Sequence, residues 1–154
     1  MGYIHAAPPE IVYHYTQRQN LDQIITDQRI RRMGDTECWF CASLEDTLEL
    51  MRRTVMREGA PYYGIGGILR FYPPFRADDY VILKLQAQYP DRSKWVRWMQ
   101  ALPSNATRAQ MAEAQYFSNL KIGYRGDFRF VKEPQIIEVA PLLSGLEQGL
   151  SFTI

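Results

Sequence analysis

Three short stretches of this chain carry side chains that can act together chemically: Tyr13-His14-Tyr15-Thr16, Trp39-Phe40-Cys41-Ala42-Ser43 and Lys132-Glu133-Pro134-Gln135. Successive side chains of an extended run point to opposite faces, so Val12, His14 and Thr16 share one face and Tyr13 and Tyr15 the other. A neutral imidazole both donates and accepts a hydrogen bond, which suits gripping a sugar hydroxyl. The competing reading of His14 is a satisfied core histidine or an exposed one. In the second stretch an aromatic beside a hydroxyl can stack a flat ring and bond an amide. A core aromatic followed by a helix cap at Ser43 explains the same residues. In the third, regular alternation sets Glu133 and Gln135 side by side on one face. A carboxylate there can stabilise a developing oxocarbenium ion, as sugar-transfer chemistry requires; a solvated edge strand is the alternative.

Other reactive groups point elsewhere. A zinc site built on Cys38 and Cys41 needs two further ligands, and His5 and His14 are the only imidazoles. A redox pair would open a helix, where the dipole lowers a thiol pKa, whereas these cysteines lie in an apolar, strand-like run. Two buried, reduced thiols on opposite faces of a strand are expected. Arg29, Arg31 and Arg32 form the one tight basic cluster near the candidate site, either a solvated loop or a local attraction for nucleic acid or anionic lipid. Gly64-Ile65-Gly66-Gly67 opens a strand and lacks a Lys-Ser/Thr ending, so it is neither a dinucleotide fingerprint nor a P-loop.

The elements that must position these groups follow from periodicity and punctuation. A strand is expected at 11–16 after Pro8 and Pro9, then a helix capped by Asn20 with Gln23 completing a capping box. Residues 38–42 read as a strand stopped by Ser43. Leu44, Leu48, Met51 and Val55 then recur at helical spacing until Gly59. Residues 62–67 read as flexible, 68–72 as extended, and 80–87 as a central strand. Trp95, Trp98, Met99 and Leu102 predict a helix over 93–102 packed on the core, with Lys94 and Arg97 leaving base stacking as a lesser reading. Thr107 and Gln110 open a helix to about 119. The last strong strand is 128–139, broken at Pro134, and 151–154 can add a terminal strand. This order favours an α+β fold over a doubly wound sheet.

With 154 residues, 46% apolar and 23% charged, the chain has the composition of one globular domain spanning 1–154. A net charge of +1 gives no general attraction to nucleic acid or anionic lipid. No apolar run reaches the ~20 residues that span a bilayer, and MGYIHAAPPE has no signal-peptide pattern, so a cytoplasmic protein without a membrane partner is expected.

Taken together, Tyr13-His14-Tyr15-Thr16, the Asn20-Leu21-Asp22-Gln23-Ile24-Ile25 helix, Trp39-Phe40-Cys41-Ala42-Ser43 and the late Glu-x-Gln strand resemble the ADP-ribosyltransferase fold. The likeness is to its His-Tyr-Glu branch, which includes DNA-targeting toxins and small bacterial and phage relatives. It covers about residues 11–55 well and 126–140 loosely. The resemblance implies a split β-sheet whose cleft holds NAD, with no metal. His14 would hold the adenosine-side ribose, flanked by Tyr15 and Thr16. Trp39, Phe40 and Ser43 match the motif in which an aromatic packs on nicotinamide, and Arg31 with its basic neighbours would balance the pyrophosphate. The family's late strand supplies a catalytic glutamate. Gln135 occupies the aligned position here and Glu133 lies two residues earlier, so Glu133, Gln135 and His14 are the catalytic candidates.

The implied reaction is substitution at the anomeric carbon of the nicotinamide ribose, delivering ADP-ribose to a protein or nucleic acid. A toxin or effector role would add a cognate antitoxin or immunity protein as partner. The alternatives are NAD hydrolysis on the same fold and, favoured by Gln135, a catalytically inactive binding or inhibitory module. An RNA 2′-phosphotransferase would need a basic constellation that the sequence does not present.

Overall fold

Val81, Ile82, Leu83 and Leu85 are all sealed from solvent, so the strand that carries them must be covered on both faces. The computed structural model that shows this describes residues 3–31, 37–87, 92–99 and 102–147. Its elements begin with β1 (Tyr3–His5), β2 (Ile11–Gln17), α1 (Leu21–Asp27), β3 (Arg29–Ile30), β4 (Glu37–Phe40) and α2 (Leu44–Arg53). Then come β5 (Pro61–Tyr63), β6 (Leu69–Phe71), β7 (Tyr80–Gln86), β8 (Trp95–Trp98) and α3 (Arg108–Leu120). The last are β9 (Ile122–Arg125), β10 (Phe128–Arg129), β11 (Gln135–Glu138) and α4 (Val139–Glu147).

The fold is α+β, and every strand pairing among the described residues is antiparallel. One sheet runs β1-β8-β9-β4 and another β11-β7-β2, while β10-β3 and β5-β6 form two-stranded ribbons. The two larger sheets meet where Tyr13 and Cys41 exchange main-chain hydrogen bonds of 2.8 Å in both directions.

The pairing of β2, β7 and β11 fixes what each face of that sheet carries. His14, Leu83 and Ile136 form one rung, and Thr16, Val81 and Glu138 another on the same face. Tyr13-Lys84-Gln135 and Tyr15-Ile82-Ile137 are rungs of the opposite face. The His14 face adds Val12, Val81, Leu83 and Leu85 to a core with Phe40, Trp95, Ile122 and Phe128. The other face packs Ile82 against Leu48 and Met51 of α2 and Val139 of α4.

Local chemistry explains the helices. The Ser43 hydroxyl accepts from the Asp46 N–H at 3.0 Å and caps α2, whose first turn is acidic and last turn basic. Thr107 and Gln110 complete a capping box on α3, with bonds of 3.1 and 2.8 Å. At Asn20 the expected box does not form. The chain enters α1 through a 3₁₀ turn, the Asn20 amide donates to the Thr16 hydroxyl at 3.3 Å, and Gln23 turns to Asp27.

The structure corrects four further expectations. Trp95 and Trp98 lie on a strand, not a helix, because pairing with β1 and β9 outweighs a helix-like spacing. Three residues apart on a strand, they point to opposite faces: Trp95 is sealed among Phe40, Tyr124 and Phe128, and Trp98 is exposed. The last long strand is two strands separated by a loop, and its final expected residue, Val139, opens α4. Pro141 fits there because the first turn of a helix has no use for its missing N–H. Helix α2 stops at Arg53 ahead of Gly59, where Thr54 leaves helical geometry and its hydroxyl donates to the Leu50 carbonyl at 2.7 Å. Residues 61–63, partly expected to be flexible, pair with β6 in a hairpin. Both cysteines are buried thiols outside any disulfide, and burial pushes the Cys41 thiol up to about 12. The expected terminal strand at 151–154 and the expected contribution of Arg32 lie outside the described residues.

Candidate functional site

The His14 imidazole is fixed by one bond: its Nδ1 lies 2.8 Å from the main-chain carbonyl oxygen of Trp39. A carbonyl only accepts, so Nδ1 carries the proton and Nε2 is left as a bare acceptor. Burial holds the imidazole below its usual pKa, with the Trp39 bond opposing it, so the neutral tautomer persists at neutral pH. The ring lies 5.4 Å from that of Phe40, which closes its inner side. Trp39 can present its carbonyl this way because its indole lies flat over Gly123, its partner across β9. A Cβ at Gly123 would stand 2.9 Å from that ring, and the Lys121 ammonium lies 4.4 Å from the ring centroid.

His14 and Thr16 line a hollow of about 240 Å³ closed by α1 and β3. Asn20, Gln23 and Asp27 supply its polar rim, and Arg29 and Arg31 its positive charge. Arg31 bonds Asp27 at 2.8 Å and Arg29 pairs with Asp127 at 3.4 Å. The Arg31 bond, with one from Gln23, holds the Asp27 carboxyl below the usual range. Beyond residues 17–19 lies a second hollow of about 540 Å³, lined by Arg18, Arg76, Asp79 and Tyr80.

Of the binding residues expected from the sequence, the hollow gathers His14, Thr16 and Arg31, and Trp39 bears on it only through the bond of its carbonyl to the His14 ring. Tyr15 belongs to the helical face, where its hydroxyl lies 3.0 Å from that of Thr54 and burial pushes the phenol up to about 12. Phe40 is sealed in the core, the Trp39 ring sits on the opposite face of β4, and Ser43 caps α2. None of these three presents its side chain to the hollow.

The late strand departs most from expectation. Gln135 stands on the rung of Tyr13 and Lys84, the face away from His14, and Glu133 is exposed in the loop before β11. Pairing with β7 sets the even-numbered residues of β11 on the His14 face. The carboxylate placed there is Glu138, which both outer nitrogens of Arg18 hold while the Arg18 Nε donates to the Asp78 carbonyl at 3.0 Å. The Arg18 bond keeps the Glu138 carboxyl below its usual range. Nothing local marks Glu138 in the sequence; its face depends on strand register. A larger hollow of about 640 Å³ beside α3 is mainly apolar, and Glu113, its one charged residue, is paired with Arg53.

Comparison with protein-family models, with curated proteins and with solved structures gave no match.

Proposed function

We propose that this chain binds NAD and transfers its ADP-ribosyl group to a protein or nucleic-acid acceptor, on a split-sheet core of the ADP-ribosyltransferase type. The observation that carries the reading is the locked His14 tautomer. It offers a single acceptor nitrogen on a ring lining a hollow with Thr16, Arg29 and Arg31.

On this reading Nε2 of His14 accepts from a hydroxyl of the adenosine-side ribose, and Thr16 offers a second polar contact. Arg31, with Arg29 and, across residues 17–19, Arg18, stands where a pyrophosphate would need cations. Nicotinamide is already a good leaving group, so the protein's task is to position the ribose, exclude water and place a negative charge near the developing cation. Glu138 takes that last role in preference to Glu133 or Gln135, because it shares the His14 face. Arg18 must release at least one of its oxygens before it can do so.

NAD titrated into the protein by calorimetry tests the binding half. His14→Ala should weaken NAD by about tenfold, the worth of one well-placed hydrogen bond. Undiminished affinity in that variant, or no NAD binding by the parent chain, overturns the proposal. Labelled NAD incubated with cell lysate tests transfer: label should reach protein or nucleic acid, and Glu138→Gln should abolish labelling while NAD still binds. Free ADP-ribose released without lysate would identify a hydrolase.

A second reading is favoured by the Arg18-Glu138 pair itself. The described carboxylate on the His14 face is neutralised by its neighbour, as expected of a domain that binds nucleotide without turnover. NAD binding with neither label transfer nor NAD loss would select it.

A further inference from the structure

The β5-β6 hairpin stands outside both cores. Its main-chain ladder closes on itself, from Gly59 N–H to the Tyr72 carbonyl (2.8 Å), Tyr72 N–H to the Ala60 carbonyl (3.0 Å) and Gly64 N–H to the Ile68 carbonyl (2.8 Å). Pro61 pairs with Phe71 and Tyr63 with Leu69, so these four residues share one face, and all four are exposed. Tyr63 is 76% exposed, Phe71 60% and Leu69 52%, and Ile68 beside the tip adds another apolar side chain at 57%. On the reverse face Tyr62 stacks on Tyr72 with centroids 4.3 Å apart. The tip turns through Gly66 and Gly67, both at φ +75°, a conformation that glycine adopts without strain. An isolated ribbon is marginal in water, and an uncovered apolar face on one calls for an occupant.

Charge identifies the occupant. Arg57, Arg70 and Arg76 are matched in number by Glu58, Asp78 and Asp79 at the two ends of the segment, but no Asp or Glu lies between Glu58 and Asp78, so the hairpin itself carries only Arg70. Arg57 and Arg70 form no salt bridge among the described residues, Arg76 meets Asp79 only at 3.7 Å, and the Glu58 carboxylate accepts from the Phe75 N–H at the hairpin's base. Arg70 pairs with Tyr62 on the reverse face, so a partner that takes in the tip meets the apolar face on one side and this cation on the other, and is anionic and apolar together. A single-stranded nucleic acid would stack on Tyr63 and Phe71, but Ile68 and Leu69 at the tip present no flat ring to a base and suit an acyl layer instead. A second copy would bring the same arginines against each other across a two-fold contact.

We propose that the β5-β6 hairpin is an interfacial anchor for anionic lipid surfaces. Ile68, Leu69 and Tyr63 enter the edge of the acyl layer, and Tyr62, Phe71 and Tyr72 lie at headgroup depth. Arg57, Arg70 and Arg76 meet lipid phosphates. The chain then lies on the bilayer without spanning it. This inference is independent of the NAD reading, and it rests on local charge, since the net charge is only +1.

The whole protein, pelleted with sucrose-loaded vesicles of phosphatidylcholine and phosphatidylglycerol in equal parts, should bind them and leave pure phosphatidylcholine vesicles largely bare. Leu69→Ser combined with Phe71→Ser should lower the partition coefficient by about tenfold or more. Arg70→Gln should lower it about fivefold, and less at high salt. These side chains are exposed, so the far-UV circular dichroism of each variant should match the parent. A Leu69→Trp variant gives a second readout, with blue-shifted emission that brominated acyl chains quench. Absence of vesicle binding, or binding that the double serine variant retains, overturns the proposal. So does a chain that ignores vesicles yet loses, in that variant, either binding to a fluorescent oligothymidylate or a monomer–dimer equilibrium.

Discussion

On the helical side of β7, Ile82 is sealed against Met51 and Val139, with Tyr13, Tyr15 and Ile137 packed around it. On the other side Val81 and Leu83 are equally sealed, yet their β11 neighbours Ile136 and Glu138 stand in solvent. Around Ile82 the helical face is packed across to Ile137 of β11 and opens only at Gln135, whereas the other face opens along β11 at both Ile136 and Glu138. A closed face contributes stability through packed area and has nothing left to offer a ligand. The open face keeps polar groups at the margin of a core, where low dielectric strengthens each hydrogen bond and a ligand can still enter.

Perturbing the two faces should separate these roles. The largest effect belongs to the closed side: Ile82→Ala should cost about 2–5 kcal/mol of unfolding free energy by leaving a cavity, with NAD affinity unchanged. Urea denaturation and calorimetry read the two quantities, and a weakened ligand with little lost stability would erase the distinction. Next comes pH. The folded pKa of His14 lies below its ordinary 6.5, so the unfolded chain binds the proton first as pH falls. Stability is unaffected by this group well above 6.5 and declines below it, at a limiting slope of about 1.4 kcal/mol per pH unit. The urea midpoint should fall between neutral pH and pH 5 in the parent and stay flatter in His14→Gln. Smaller still, Ser43→Ala should cost about 1 kcal/mol through the lost cap of α2 without touching ligand binding, and a change in NAD affinity would return Ser43 to the site. Smallest in stability is Arg18→Gln. The ion pair with Glu138 is solvent-exposed, so the midpoint should hardly move, whereas label transfer should change if the freed carboxylate takes part.

Much of the fold was legible where its cause is local. The strand around His14, the β7 run, the caps at Ser43 and Thr107 and the α2 stripe all follow from neighbours within a few residues. The Trp95 strand was hidden because its partners, β1 and β9, lie far off in sequence and its aromatic spacing mimics a helix. Asn20 carries a capping residue type in a segment that begins as a 3₁₀ turn, so type alone misled. At the site, His14 and Thr16 were readable from strand alternation. The face of Gln135 relative to His14 was not, because parity within one strand says nothing of its register against another. Trp39 acts through its main chain, which residue identity cannot show.

That main-chain contact makes Gly123 a remote determinant of the imidazole's aim. The indole of Trp39 rests where a methyl group on the facing strand would collide with it, and the carbonyl of the same residue orients the His14 ring. Adding one carbon at 123, which does not line the hollow, would force the indole to move, and the residue that moves is the one whose carbonyl holds the His14 ring. On the NAD reading, the smallest side chain of β9 would thus constrain the site although it does not line the hollow.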